Sequence, residues 1–572
     1  MAATCAEPKG RPGLLPWAPL LTLAVMIGPV AAGVLGTLAP AFGYLPALGG
    51  TSLGVEPFMR LIDWPGFTRA SVLSLTTGFA ATGLSLLIVA MICAAWSGSK
   101  AFRVIERGLS PLLSVPHAAA AFGLAFLIAP SGWISRAVSP GLTGWDQPPD
   151  LLILQDPWGL SLIAGLVVKE VPFLLLMTLA ALSQIPTRQA RDTALALGYA
   201  PVTAWFQTVF PRVYAQIRLP VYAVLAFSMT VIDVSIVLGP TTPPTLAVQI
   251  LRWMNDPDLT LRFVASAGAV WQLFLVIAGL VMWRVVEAVT AALGRRWIVA
   301  GRRGGGTRTA RAISLIAAIL SAAAVIMGLL GLLVWSFAGF WSFPEALPKG
   351  FTLRTWMRHG MMLWDVLRDT VLIASLATLI ALLLTLACLE AEERYGLKPG
   401  ARALWLLYVP LIVPQIAFLA GLQTLAIYAG IDGNLTAVIA VHVIFVLPYV
   451  FLSLADPFRA WDARYGLVAR ALGASCDGVL WRVRLPMLLR PILTAAAVGF
   501  AVSIGQFLPT LLAGAGRVQT LTTEAVALAS GGDRRVISVY ALTQTAVAFF
   551  PFAFAVFIPA IAWRNRRGLR HV

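Results

Sequence analysis

Twelve stretches of this chain are apolar over about the 20 residues that a helix needs to cross a bilayer. They cover 14–39, 69–96, 109–129, 158–183, 216–239 and 263–283, then 312–336, 366–389, 403–427, 436–455, 489–512 and 537–562. Such a chain is an all-α polytopic membrane protein with about twelve transmembrane helices. Composition agrees: 12% of residues are charged and 59% are hydrophobic, against about 25% charged in a soluble domain. Several runs contain Pro or Gly, which spans tolerate when neighbours satisfy the freed backbone groups. The first run follows a basic flank and is too long for a cleavable leader, so it reads as an uncleaved first helix.

The net charge of +17 would suit a nucleic-acid binder, but its distribution argues for a membrane topology instead. Lys and Arg collect in the short cytoplasmic loops of membrane proteins. Segment 284–311 carries Arg284, Arg295, Arg296, Arg302, Arg303, Arg308 and Arg311, and the tail carries Arg564, Arg566, Arg567 and Arg570. Loop 97–108 adds Lys100, Arg103 and Arg107, whereas 40–68 holds only Arg60 among Lys and Arg, and 130–157 only Arg136. Both termini are therefore expected in the cytoplasm. The four cysteines, Cys5, Cys93, Cys388 and Cys476, lack metal-ligand or redox-motif spacing. They fall near the expected cytoplasmic side, where free thiols are expected.

The chain repeats itself. "SVPHAAAAFGLAFL" at 114–127 aligns with "IVPQIAFLAGLQTL" at 412–425, so Pro116 meets Pro414 and Gly123 meets Gly421. "KEVPFLLL" at 169–176 aligns with "FVLPYVFL" at 445–452, and "PTLAVQ" at 244–249 with "QTLTTE" at 519–524. Six spans per half in one orientation give two parallel repeats, a transporter design. The expected division is a first repeat at 1–293, a Gly- and Arg-rich flexible cytoplasmic linker at 294–311, and a second repeat at 312–572.

Each repeat carries a soluble-looking loop, at 187–212 and 462–487. In the first, "TRQARDTALALG" has a helical pattern that Gly198 can end in a left-handed cap. Pro201 suits the first turn of a second helix, and Pro211 closes the pattern. In the second, Gly473 and Pro486 keep the same spacing, with Ser475 as a candidate N-cap. Two angled surface helices of this kind make a knob fit for a groove in a soluble partner.

These loops resemble the cytoplasmic loop of permease subunits of binding-protein-dependent ABC importers, of the form E-A-A-x₃-G-x₉-I-x-L-P. Asp192, Thr193 and Ala194 take the E-A-A place before Gly198, and Thr208 to Pro211 take the I-x-L-P place. In the second copy Leu467, Val468 and Ala469 precede Gly473, and Val483, Arg484, Leu485 and Pro486 follow. The Glu is missing from both copies. A permease with both halves in one chain is similar to the ferric-iron and thiamine importer branch and to YnjC-type permeases. The resemblance implies an inner-membrane permease subunit that translocates a small solute. It further implies a separate homodimeric ATPase docked under the loops at Asp192, Ala194, Gly198, Pro211, Ala469, Gly473, Leu485 and Pro486, and an extracytoplasmic binding protein that delivers the solute. The alternative is a twelve-helix secondary transporter driven by an ion gradient; its Gly/Asp/Arg signature is absent from 94–111.

No G-x-x-x-x-G-K-[ST] phosphate loop is present, and "GSKAF" and "GRRGGGTRT" fail at the Lys-Ser/Thr position. ATP is thus expected on the partner, with no cofactor, metal site or catalytic residue on this chain. His117, His359, His442 and His571 are scattered; His117 either faces the pathway or has an interior partner. The halves differ at Lys169, Glu170 and Asp233, whose counterparts near Phe445, Val446 and Leu508 are apolar. Ionisable groups cost about 2.5–3.5 kcal/mol each at the centre of a span and need a partner or water. At 1.5 Å per residue, Lys169 lies roughly 16 Å and Asp233 roughly 9 Å below the outer ends of their spans. The expectation is that Lys169 or Glu170, with Asp233, lines or braces the inner face of the first half.

Overall fold

The computed structural model describes residues 14–305, 307–397 and 400–564. Twelve helices carry the bulk of the bundle. In the first half they are α1 (Ala18–Ala41), α2 (Phe67–Trp96), α3 (His117–Ile128), α4 (Leu160–Ser183), α5 (Phe210–Thr230) and α6 (Leu261–Val299). In the second they are α7 (Thr307–Phe337), α8 (Arg354–Tyr395), α9 (Gln415–Tyr428), α10 (Leu435–Arg459), α11 (Leu489–Ile504) and α12 (Arg534–Ala562). Among the described residues nine helices are long and apolar enough to cross a membrane, or eleven if each of two bent pairs counts as one span. The remaining expected span, 216–239, is not continuous. Arg212, Gln216 and Arg218 dilute the start of α5, and the chain breaks at Val231–Ile232 before a short helix, Asp233–Leu238.

The order of elements repeats with its breaks. In the third span of each half, a proline interrupts the helix. Lys100–Ser114 stops at Val115–Pro116 before α3, and Ala401–Ile412 stops at Val413–Pro414 before α9, where the axis turns by 83°. A residue preceding proline is pushed out of the α region, and Val115 and Val413 sit at extended ψ of 123° and 126°. The fifth span breaks likewise, α5 before Asp233–Leu238 and α11 before Leu508–Ala513.

The first helix of each half packs against the other half. α1 lies along α9 of the second half as well as α6 of its own, and α7 lies along α3 of the first half as well as α12 of its own. Lipid tails are as apolar as side chains, so membrane helices associate through close packing of small residues. That packing is tightest at glycine. A Cβ on Gly421 would run into the Gly33 carbonyl oxygen, and one on Gly123 would come within 2.9 Å of the Gly328 backbone. Thr37 Oγ1 also accepts the Gly421 N–H at 3.0 Å. Gly123 and Gly421 are the pair aligned by the sequence repeat, so both copies use one device.

The expected linker 294–311 is mostly helix. α6 runs to Val299 and α7 starts at Thr307, because Arg-rich sequence leaves the membrane without ending a helix. Cys93 and Cys388 are free and buried. Cys5 lies outside the described residues.

Gly421→Val is expected to lower stability by about 1–3 kcal/mol, the usual cost of overpacking, read as a fall in the thermal midpoint of the full chain in detergent. Gly28→Val on α1, where a Cβ meets nothing within 4 Å, should stay within about 0.5 kcal/mol.

Candidate functional site

Both repeated loops fold as two short helices joined at a left-handed glycine. The first comprises Thr187–Ala196 and Pro201–Thr208, with Gly198 at φ +84°. The second comprises Ala463–Ala471 and a helical segment opening at Cys476–Val479, with Gly473 at φ +89°. The caps are the same motif. Tyr199 N–H donates to Ala194 O (3.1 Å) and Gly198 N–H to Leu195 O (2.9 Å); Ala474 N–H donates to Ala469 O (3.0 Å) and Gly473 N–H to Arg470 O (2.9 Å). These 6→1 and 5→2 bonds define a Schellman cap, which takes glycine because other residues are strained at positive φ. Ser475 caps the next helix, its hydroxyl accepting from Gly478 N–H, and Asp462 caps the first by accepting from Arg464 N–H.

The structure places the expected loop residues around these bends. Asp192, Gly198, Pro211, Gly473 and Pro486 are exposed, Ala469 and Leu485 are half-buried, and Ala194 is buried. Pro211 corrects one expectation: it sits in the first turn of α5 and opens that helix rather than closing the loop. Pro486 likewise lies in the first turn of Leu485–Met487. Beside the second loop is a shallow cavity of about 560 Å³ between Tyr465, Leu472 and Val483. Leu472 and Val468, which line it, are 83% and 61% exposed, and Trp481 on the same loop is 67% exposed.

The two loops are fastened differently. The first is tied to the inter-repeat segment, Ala200 N–H donating to Arg303 O at 2.9 Å. It is seated by Trp205, which is 2% exposed and packs on Phe206 and Phe210. The second is tied to α8 through Arg484, Glu390, Arg394 and Asp477, an ion network that the sequence reading missed. The available signal was the acidic run "LEAEER" closing an apolar span, together with an Arg inside the "VRLP" stretch.

Lys169, Glu170, His117 and Asp233 gather where α3, α4 and the break after α5 meet, but not as one pair. Among the described residues Lys169 makes no ion pair with Asp233. Its ammonium donates instead to Val115 O (2.6 Å) and Leu112 O (3.3 Å), carbonyls left open where Pro116 ends the preceding helix. A helix C-terminus carries partial negative charge and draws a cation. Glu170 is buried, and His117, half-exposed, holds Nε2 3.8 Å from its Oε1. The His117 ring packs on Phe227, and Asp233 opens the short helix Asp233–Leu238. The second half has no such charges: Phe445 stacks on Phe418, and Val446 and Leu508 are buried. There His442 spans the break instead, with Nδ1 2.8 Å from Ser503 Oγ and Nε2 2.9 Å from Thr510 Oγ1.

A duplicated helical bundle with broken third and fifth spans and one capped knob per repeat is a membrane transport permease. Residues 377–562 match the family model of the binding-protein-dependent transport system inner membrane component. The inner membrane ABC transporter permease protein YnjC of Escherichia coli K12 is 32% identical over 534 residues, covering 92% of this chain and 96% of that one. The chain belongs to this family and is the permease of an ABC importer, which sets aside the ion-gradient alternative. Shorter relatives match part of it. A putative 2-aminoethylphosphonate transport system permease protein PhnV of Salmonella typhimurium is 27% identical over 35% of this chain and 76% of its own. The molybdenum transport system permease protein ModB of Mycobacterium tuberculosis is 34% identical over 24% of this chain and 57% of its own.

Lys169→Met should leave two buried carbonyls without their cation and cost about 1–3 kcal/mol. The thermal midpoint of the full chain in detergent measures it, and a midpoint equal to wild type would rule out the capping role.

Proposed function

We propose that this permease forms the whole membrane core of an importer, with 1–293 and 312–572 as its two repeats, and works with a separate homodimeric ATPase. Both loops and both termini face the cytoplasm in this reading, the ATPase seats under Gly198 and Gly473, and an extracytoplasmic binding protein delivers a small solute. The observation that carries it is the pair of identical Schellman-capped knobs, exposed in equivalent positions of the two repeats. Arg-rich segments on the same side of the topology support the orientation, and the absence of a phosphate loop from the sequence leaves ATP to the partner. The relatives' names span different solutes, so family membership does not choose one. The half-exposed His117, with Glu170 and Asp233 behind it, brings carboxylates to the first half of the pathway, where Phe445, Val446 and Leu508 stand in the second.

Gly473→Val tests the reading. A Cβ at Gly473 meets nothing within 4 Å, so the substitution acts on the backbone alone. A left-handed conformation costs an L-residue about 1–2 kcal/mol, or roughly five- to thirty-fold in an equilibrium. Retention of the ATPase subunit, measured by co-purification from membranes of cells that express both, should fall by that factor while the amount of inserted permease holds. Equal retention by wild type and variant would count against docking at this loop.

A further inference from the structure

We propose that Arg484, Glu390 and Arg394 form a rigid connector that passes displacement of the second loop, and not of the first, directly to α8. The inference rests on the docking reading above and adds to it an asymmetry between the two repeats.

The connector is closed at both ends. Arg484, from the loop, donates Nη1 to Glu390 Oε2 at 2.8 Å and Nη2 to Glu393 Oε1 at 3.3 Å. Glu390 uses its other oxygen for Arg394 Nε at 2.6 Å, and Arg394 Nη2 returns to the loop at Asp477 Oδ1. The loop is therefore held to one helix at two points through one shared carboxylate. The side chains of Glu390, Arg394 and Arg484 are 6%, 7% and 8% exposed. Opening a buried ion pair strands a charge and is strongly unfavourable. Forked guanidinium–carboxylate bonds also fix direction, which apolar contacts do not. The Arg484 guanidinium lies 4.3 Å from the Trp461 ring and 5.2 Å from Phe458, so the end of α10 joins the same body. The loop end of the connector reaches the surface, since the Asp477 side chain is 71% exposed.

The first repeat lacks every part of this. The Gly-to-Pro register places Val209 where Arg484 stands. The left-handed glycines Gly98 and Gly396, each 18 residues before Pro116 and Pro414, place Ile92, Ala95 and Trp96 where Glu390, Glu393 and Arg394 stand. The first loop meets α2 through a single bond, Arg191 Nη1 donating to Ser97 O at 3.4 Å, with no buried carboxylate taking part. Its other directional tie runs to Arg303 O in the inter-repeat segment.

The connector is tested by amide hydrogen exchange on the full chain with Glu390→Gln and with Asp477→Asn, the latter an exposed change that spares the buried triad. In the chain alone, Glu390→Gln should speed exchange of 476–487 about fivefold or more, the lower end of a coupling free energy between sites, while 187–211 keeps its wild-type rate. In the chain assembled with its ATPase, ATP should change exchange at 476–487 and 388–396 together in wild type. In both variants the 388–396 response should shrink by a similar factor while the 476–487 response remains. A purely structural role would lower protection without separating the two responses. Unaltered exchange in the chain alone, or a full 388–396 response in both variants, would overturn the connector. Failure of the wild-type chain to hold an ATPase would overturn the docking reading instead.

Discussion

The backbone contact between α1 and α9, and its counterpart between α7 and α3, is what the rest of the structure depends on. In water these helices would be driven together by their apolar surfaces. In lipid that drive is absent, and association needs surfaces that approach closely enough for many weak contacts to add. Gly421 against Gly33 and Gly123 against Gly328 supply the approach. Because each contact joins the first helix of one repeat to the third span of the other, the two repeats interlock. The proline breaks at Val115–Pro116 and Val413–Pro414 are then held by helices from both halves, so each opened backbone end faces protein rather than lipid.

That placement leaves the breaks to be satisfied by groups of this chain, and the third-span break of the first half and the fifth-span break of the second use different ones. A broken helix leaves carbonyls and N–H groups that must find partners in a medium without water. The first half meets this with Lys169, which fills the carbonyls of Leu112 and Val115. The second half ties its fifth-span break with His442, Ser503 and Thr510. Both are local solutions to one backbone problem. Only the first introduces formal charge, and it leaves Glu170 and His117 beside each other.

Much of the fold was legible because its determinants are local. Spans show as apolar runs, and the Schellman caps show as Gly198 and Gly473 because positive φ admits few other residues. Ser475 reads as a cap from its place after Gly473. The length of α6 was not legible: a Gly- and Arg-rich stretch looks like a linker, yet helix propagates past the membrane face until Val299. The exchange of α1 and α7 was not legible either, since the partner of Gly33 is Phe418 and its neighbours, distant in sequence. Lys169 was recognised as needing a partner, but the partner was a helix end and not Asp233, which a list of opposite charges cannot anticipate. Arg484 falls at the free position of the I-x-L-P stretch, and its partner Glu390 lies 94 residues away.

The two loops share backbone geometry because the shape of each knob is set by its caps, and both are closed by the same Schellman cap. What lies behind each knob is free to differ, because it meets only this chain. Two separate but identical subunits would have to seat both knobs in the same way. A fused chain escapes that constraint, since each repeat's interior varies alone. Trp205 with Phe206 and Phe210 on one side, and Arg484 with Glu390 on the other, are two stable ways to seat one shape. The first seat adds single bonds to apolar contact, at Arg191 and Ala200, whereas the second closes a buried ion ring. Fusion thus permits a bundle with matched knobs and unequal supports beneath them, as the buried ring behind the second knob and the linker contact behind the first display.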